Sequence, residues 1–114
     1  MEIIKEKITL ENLNKMAKSQ FGDMIKAVVD IEQEIMAVGG GLHADEEVLL
    51  MEEENSKREN TWGINIYPEK TDEEFIEFDS MVNLKPTYGN KSRGVEDPKI
   101  REKIRKIVEE LISR

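Results

Sequence analysis

The sequence predicts an α+β domain: an antiparallel β-meander of four strands, or five with an N-terminal edge strand. An N-terminal and a C-terminal amphipathic helix pack on one face of it. Three observations predict this. Apolar residues recur at helical spacing near both ends, at Leu10, Leu13, Met16, Ala17 and Phe21, and again at Ile100, Ile104, Ile107, Val108, Leu111 and Ile112. Between them, apolar and polar residues alternate over 25–38, 61–67 and 75–84. Turn formers, Gly39-Gly40-Gly41 and Pro68 among them, separate these runs. With 114 residues and no cysteine, a single domain over 1–114 is expected, held by one core without disulfides.

Taken in order, residues 2–8 read as a short strand, with Ile3, Ile4 and Ile8 among charges. Thr9 is placed to N-cap the first helix, its hydroxyl accepting a backbone N–H that the helix leaves unpaired. Gly22 ends that helix or turns the chain just after it. Over 25–38, Val29, Ile31, Ile35 and Ala37 share one parity and Asp30, Glu32 and Glu34 the other, as in one long half-buried strand. A helix is the alternative there, since Glu, Gln, Met and Ala are good helix formers. The three glycines permit a tight reversal, so a hairpin into a strand over 42–53 is expected. Residues 61–67 set Trp62, Ile64 and Ile66 on one face. Residues 75–84 set Ile76, Phe78, Val82 and Leu84 on the core parity. Residues 85–94 form a polar loop, after which Asp97 and Pro98 open the last helix as capping acid and first-turn proline. The other sheet face then presents Asp30, Glu32, Glu34, Asn65, Tyr67, Glu77, Asp79 and Asn83 to solvent.

The formal net charge is −8, unevenly placed. Residues 45–79 carry 13 acids against 3 bases, whereas residues 80–114 carry 5 acids against 9 bases. The acidic total argues against general nucleic-acid binding and against anionic membranes, since both need clustered Lys and Arg. No apolar run approaches the roughly 18 residues of a spanning helix. The start, Met1 to Glu6, is neither a signal nor a transit peptide. A soluble, cytoplasmic protein is expected. The split of charge, and sheet edges that need cover, point to a homodimer.

Chemistry-bearing residues fall in three places. The single histidine lies in His43-Ala44-Asp45-Glu46-Glu47. If 42–51 is extended, His43, Asp45 and Glu47 project to one side and offer a divalent metal one nitrogen and two carboxylates. The His–Asp adjacency also suits acid–base work, and the polar sheet face adds the carboxylates Glu77 and Asp79. His43, Asp45, Glu77 and Asp79 are thus the candidate catalytic residues of a small metal-assisted or acid–base hydrolase. The third place is the loop over 88–94, where Asn90, Lys91, Ser92 and Arg93 offer donors to a small anion on a phosphate-bearing ligand. It is not a P-loop, because Val95-Glu96 stands where that motif needs Lys-Ser/Thr. Glu96 and Asp97 also place negative charge where an anion would sit.

Each place has a blander alternative: a surface histidine, a solvated acidic face, a solvated connector. No Ser–His–Asp context, nucleotide fingerprint or zinc spacing appears, and no cofactor beyond the candidate metal is predicted. The leading expectation is therefore a non-enzymatic binding or interaction module that self-associates.

Five segments look familiar: Gly22-Asp23-Met24-Ile25-Lys26, running on to Glu32; Leu42-His43-Ala44-Asp45-Glu46; Trp62-Gly63-Ile64-Asn65-Ile66-Tyr67-Pro68; Ile76-Glu77-Phe78-Asp79-Ser80-Met81-Val82-Asn83; and Ser92-Arg93-Gly94-Val95-Glu96-Asp97-Pro98. Together they resemble a small prokaryotic family known only as a domain of unknown function. The resemblance implies one small domain and brings no activity, cofactor or catalytic residue with it.

Overall fold

Thr9 opens the first helix of the computed structural model, which describes residues 1–114. Its hydroxyl accepts the Asn12 N–H at 3.1 Å, and α1 (Leu10–Ser19) buries Leu13 and Ala17. Five strands build an antiparallel sheet in the order β1-β4-β3-β5-β6. They are β1 (Glu2–Ile4), β3 (Ile25–Asp30), β4 (Ile35–Val38), β5 (Thr61–Ile66) and β6 (Ile76–Glu77). Two short strands outside it, β2 (Ile8–Thr9) and β7 (Ile112–Ser113), pair in parallel and clasp the segment before α1 to the end of the chain. The last helix, α3 (Pro98–Leu111), is capped by Asp97, which accepts from Lys99 N at 2.9 Å. Its stripe of Ile104, Ile107, Val108 and Leu111 joins Leu13 and Ala17 of α1 against Ala27, Val29, Met36, Val38, Ile64 and Ile66 of the sheet.

Residues 2–8 divide between β1 and β2 where the sequence predicts one strand, and three larger elements also differ from the sequence expectation. Residues 25–38 are a hairpin, not one strand: β3 ends at Asp30 and β4 begins at Ile35. Asp30 shapes the turn, its Oδ1 accepting from Glu32 N and Gln33 N at 2.9 and 3.1 Å, with Glu34 in left-handed backbone at φ 59°. The alternation runs on through the turn because both sheet faces are apolar. Val29 packs with α1 and α3, whereas Ile35 and Ala37 belong to the opposite face.

Residues 42–53 are not a strand either, since His43–Glu54 forms α2. Its buried positions are His43, Glu46, Glu47 and Leu50, the i, i+3, i+4, i+7 stripe of a helix. Only one of the four is apolar, so apolar periodicity is blind to it. The run of Ala, Glu, Leu and Met, all good helix formers, decides the local conformation. α2 covers the second sheet face, where Leu50 packs with Val28, Ile35, Ala37 and Val82. The sheet thus lies between two helical layers. Part of the face expected in solvent is inside: Asp30, Asn65 and Asn83 are at most 5% exposed, whereas Glu32, Glu34 and Glu77 remain exposed.

Residues 75–84, the third case, keep only two strand residues, and Met81–Asn83 is a 3-10 turn. Asn83 takes the place of the missing strand. Its Oδ1 accepts from Gly63 N at 2.8 Å and its Nδ2 donates to Gly63 O at 3.0 Å, so one side chain pairs both backbone groups of a β5 residue. Glycine is required at 63 because a Cβ would stand 2.5 Å from the Ser80 side chain. No helix is long and apolar enough to cross a membrane.

Candidate functional site

Lys26 of β3 pairs across the sheet with Asn65 of β5, and Asn65 with Glu77 of β6. Directly opposed residues share a face, so this row projects to the side that α2 covers. His43, the first residue of α2, is 8% exposed, and its Nε2 lies 2.8 Å from the Ile64 carbonyl oxygen. A carbonyl only accepts, so Nε2 carries the proton and the neutral ring keeps Nδ1 as an acceptor. Burial pulls the His43 pKa below its ordinary 6.5 and the Lys26 charge adds to this. The Ile64 hydrogen bond, the Asn65 side chain and Asp79 pull the other way. The ring is therefore neutral at pH 7.

Polar neighbours are held in place around it. Asn65 Nδ2 donates to Glu77 Oε1 at 2.8 Å, and Tyr67 OH donates to the same oxygen at 3.2 Å. These bonds orient the Asn65 amide and leave its buried Oδ1 without a partner. Arg93 Nε donates to Asp79 Oδ1 at 2.7 Å. The Arg93 carbonyl accepts from Ser80 N and from Asn83 Nδ2, both at 2.9 Å, which ties this loop to the sheet.

These elements line a cleft of about 200 Å³ that is open to solvent. Lys26, His43, Ser80 and Arg93 supply its polar lining, and Leu42, Ala44, Met81 and Val82 the apolar half. Val82 is buried, whereas Leu42 and Met81 stand at the rim, 60% and 62% exposed. Leu42 and His43 also place the N-terminal end of α2 at the cleft, uncapped by any side chain and with Asp45 in its first turn.

The residues singled out in the sequence fare unequally. Asp45 parts from His43 and Glu47, because residues two apart on a helix diverge, whereas His43 and Glu47 share the buried stripe one turn apart. Asp45 is exposed, while Glu47 accepts from Thr61 Oγ1 at 2.6 Å and from Arg58 Nη1 at 3.0 Å. No group of three or more His, Asp or Glu side chains is placed to hold a metal ion. Glu77 and Asp79 do lie on the His43 side, each engaged by donors and not paired with a second carboxylate. Glu32 and Glu34 sit in the β3–β4 turn, at the other end of the sheet.

Of the loop residues, only Arg93 lines the cleft. Asn90 is a scaffold, its Nδ2 donating to Asn83 O and Gly94 O, both at 2.8 Å. Lys91 N–H goes to Glu96 Oε2 at 3.0 Å, so the protein's own carboxylate takes the place an anion would have used. Ser92 is half-buried and away from the lining. Lys26 and Ser80 escaped sequence reasoning. The one available signal was that Lys26 shares the parity of Asp30 on the polar face.

One turn along α2, Glu46 is fully buried. Its Oε2 accepts from Gly40 N at 2.9 Å and its Oε1 has no partner. Burial pushes its pKa up to about 9, against the lowering effect of the Gly40 bond and Lys26, so it is a neutral acid at pH 7.

Lys26, His43, Asn65, Ser80 and Arg93 come one from each of the five segments that carry the family resemblance. No curated protein and no solved structure matches the chain. A family model does match residues 2–111, and the chain belongs to that family, described as protein of unknown function (DUF5674).

Proposed function

We propose that the domain is a binding module for a small anion seated in the cleft between Lys26 and Arg93, above the neutral His43 ring. One observation carries the reading: three separate elements bring Lys26, His43 and Arg93 to a single cleft in a chain of net charge −8. Asp79 pairs with Arg93, while Lys26 stands over the Phe21 ring with no carboxylate within salt-bridge distance, and a bound anion supplies that partner. The positive end of α2 at the same place adds to the attraction. Titrating the protein with inorganic phosphate and with acetate by amide NMR tests this. The expected result is shifts confined to the surroundings of Lys26, His43 and Arg93, lost in Arg93→Ala and weakened in Lys26→Ala. Unshifted amides at millimolar anion would remove the reading.

Two further readings each have an observation behind them. Acid–base chemistry at the same cleft is favoured by the tautomer of His43, which presents Nδ1 as a base. Hydrolysis of a nitrophenyl ester that is abolished by His43→Gln, with binding kept, is its signature. Self-association is favoured by Val48 and Met51, exposed apolar side chains on α2. Sedimentation that rises with concentration and falls back in Val48→Lys is the expected outcome for a homodimer built on that face.

A further inference from the structure

We propose that the anion is a short aliphatic carboxylate, with its carboxylate held by Lys26 and Arg93 and its alkyl chain lying against Leu42, Ala44 and Met81. This rests on the anion-binding reading and names the class of ligand. Charge is the first argument. Lys26 and Arg93 are the cations of the cleft, no carboxylate lines it, and Asp79 already pairs with Arg93. The three groups together leave one positive charge, which a monoanion matches and a phosphate dianion exceeds.

The apolar half of the lining is the second argument. A phosphate or a bare inorganic ion uses only Lys26, Arg93 and Ser80 and leaves Leu42 and Met81 in water. An alkyl chain covers them and gains the free energy of removing apolar surface from solvent. The acidic hollow beside Asp30 and Ser56 offers no such pairing of cations with apolar side chains. It has no apolar lining, and Asp30 is already satisfied by Ser56 and Gln33.

Volume sets the length. At about 30 Å³ per water-sized group, an open cleft of about 200 Å³ takes at most roughly six or seven non-hydrogen atoms, an acid of up to four or five carbons. Longer chains run out over the rim and gain little.

The test is an amide NMR titration of the full chain at pH 7 and constant ionic strength with acetate, butyrate, pentanoate and heptanoate, and separately with inorganic phosphate. Affinity is expected to rise by up to about fourfold per methylene from acetate to pentanoate and to level off at heptanoate. Met81→Ser should flatten that rise. A chain-length-independent affinity, or phosphate binding tighter than pentanoate, overturns the carboxylate assignment and leaves anion binding standing. Absence of shifts near Lys26, His43 and Arg93 with every probe overturns both.

Discussion

Asn83 and Gly63 form a two-way pair in which a side-chain amide does the work of a neighbouring strand. Asn83 Oδ1 accepts from Gly63 N at 2.8 Å and Nδ2 donates to Gly63 O at 3.0 Å, with a further bond to Arg93 O at 2.9 Å. The residue is fully buried, so no water can replace these bonds. Asn83→Ala leaves a buried N–H and a buried C=O unpaired, at a cost of about 2–5 kcal/mol. Asn83→Asp keeps the acceptor but turns its second oxygen toward two carbonyls, and should destabilise at least as much. Urea unfolding of the two variants checks the ranking, and an aspartate variant as stable as wild type would contradict it. Because Arg93 O is one of the partners, anion binding at the cleft should weaken in both.

His43 offers a second measurement, made clean by its being the single histidine of the chain. The folded ring is expected to titrate below 6.5, with its proton on Nε2 in the neutral form. As pH falls through 6.5 the unfolded chain takes up a proton before the folded one. This group's contribution to stability is therefore present above 6.5 and declines as pH drops toward the folded pKa. His43→Gln, which retains a donor for Ile64 O, should lose that decline. Ring nitrogen shifts read both the pKa and the tautomer, and a proton found on Nδ1 would be contrary to the geometry.

Glu46→Gln should stabilise the protein at pH 7 and above. The wild-type carboxyl is held neutral in the fold up to about 9, against an ordinary 4.5. A group raised in this way contributes fully below 4.5, and its contribution is lost as pH rises from 4.5 through about 9. Each unit of that window is worth about 1.4 kcal/mol. Glutamine keeps the acceptor for Gly40 N and cannot ionise, although its amide inherits the unpartnered position of Oε1. The net gain expected at pH 7 is about 1–2 kcal/mol. Unfolding free energies measured from pH 5 to pH 9 should cross between pH 5 and pH 7, the unpartnered amide favouring wild type at the acid end, and diverge at the alkaline end. Parallel curves would mean that Glu46 ionises in the fold.

The same residue explains what the sequence concealed. α1 and α3 were legible because Thr9 and Asp97 cap them and their buried stripes are apolar. α2 buries a histidine and two glutamates, so the ordinary rule that buried means apolar pointed away from a helix there. The β3–β4 turn was hidden for a related reason, since a sheet covered on both faces gives no solvent-facing parity to break. His43, Asp79 and Arg93 were singled out from chemistry alone, and folding brings them to one end of the sheet. Lys26 was overlooked, and its place in the cleft depends on the pairing of β3 with β5, a relationship between segments far apart in the chain.

Lys85 gives the clearest pH signature outside the cleft. It is 3% exposed, donates to the carbonyls of Arg58 and Thr61, and sets its Nζ 4.0 Å from the centre of the Trp62 ring. Burial, and then the Arg58 charge, pull its pKa from 10.5 to about 8, with Glu47 opposing. The ammonium survives at pH 7. The unfolded chain keeps its proton up to 10.5, so between about 8 and 10.5 the unfolded state binds more protons and this group's contribution to stability rises with pH. Lys85→Met retains the apolar stem over Trp62 but cannot titrate. The difference in unfolding free energy between wild type and variant should be level below pH 8 and then move in favour of wild type up to pH 10.5. A difference that stays level through that window would show that the two carbonyls and the Trp62 face hold the ammonium as firmly as water does, and that burial exacts nothing from it.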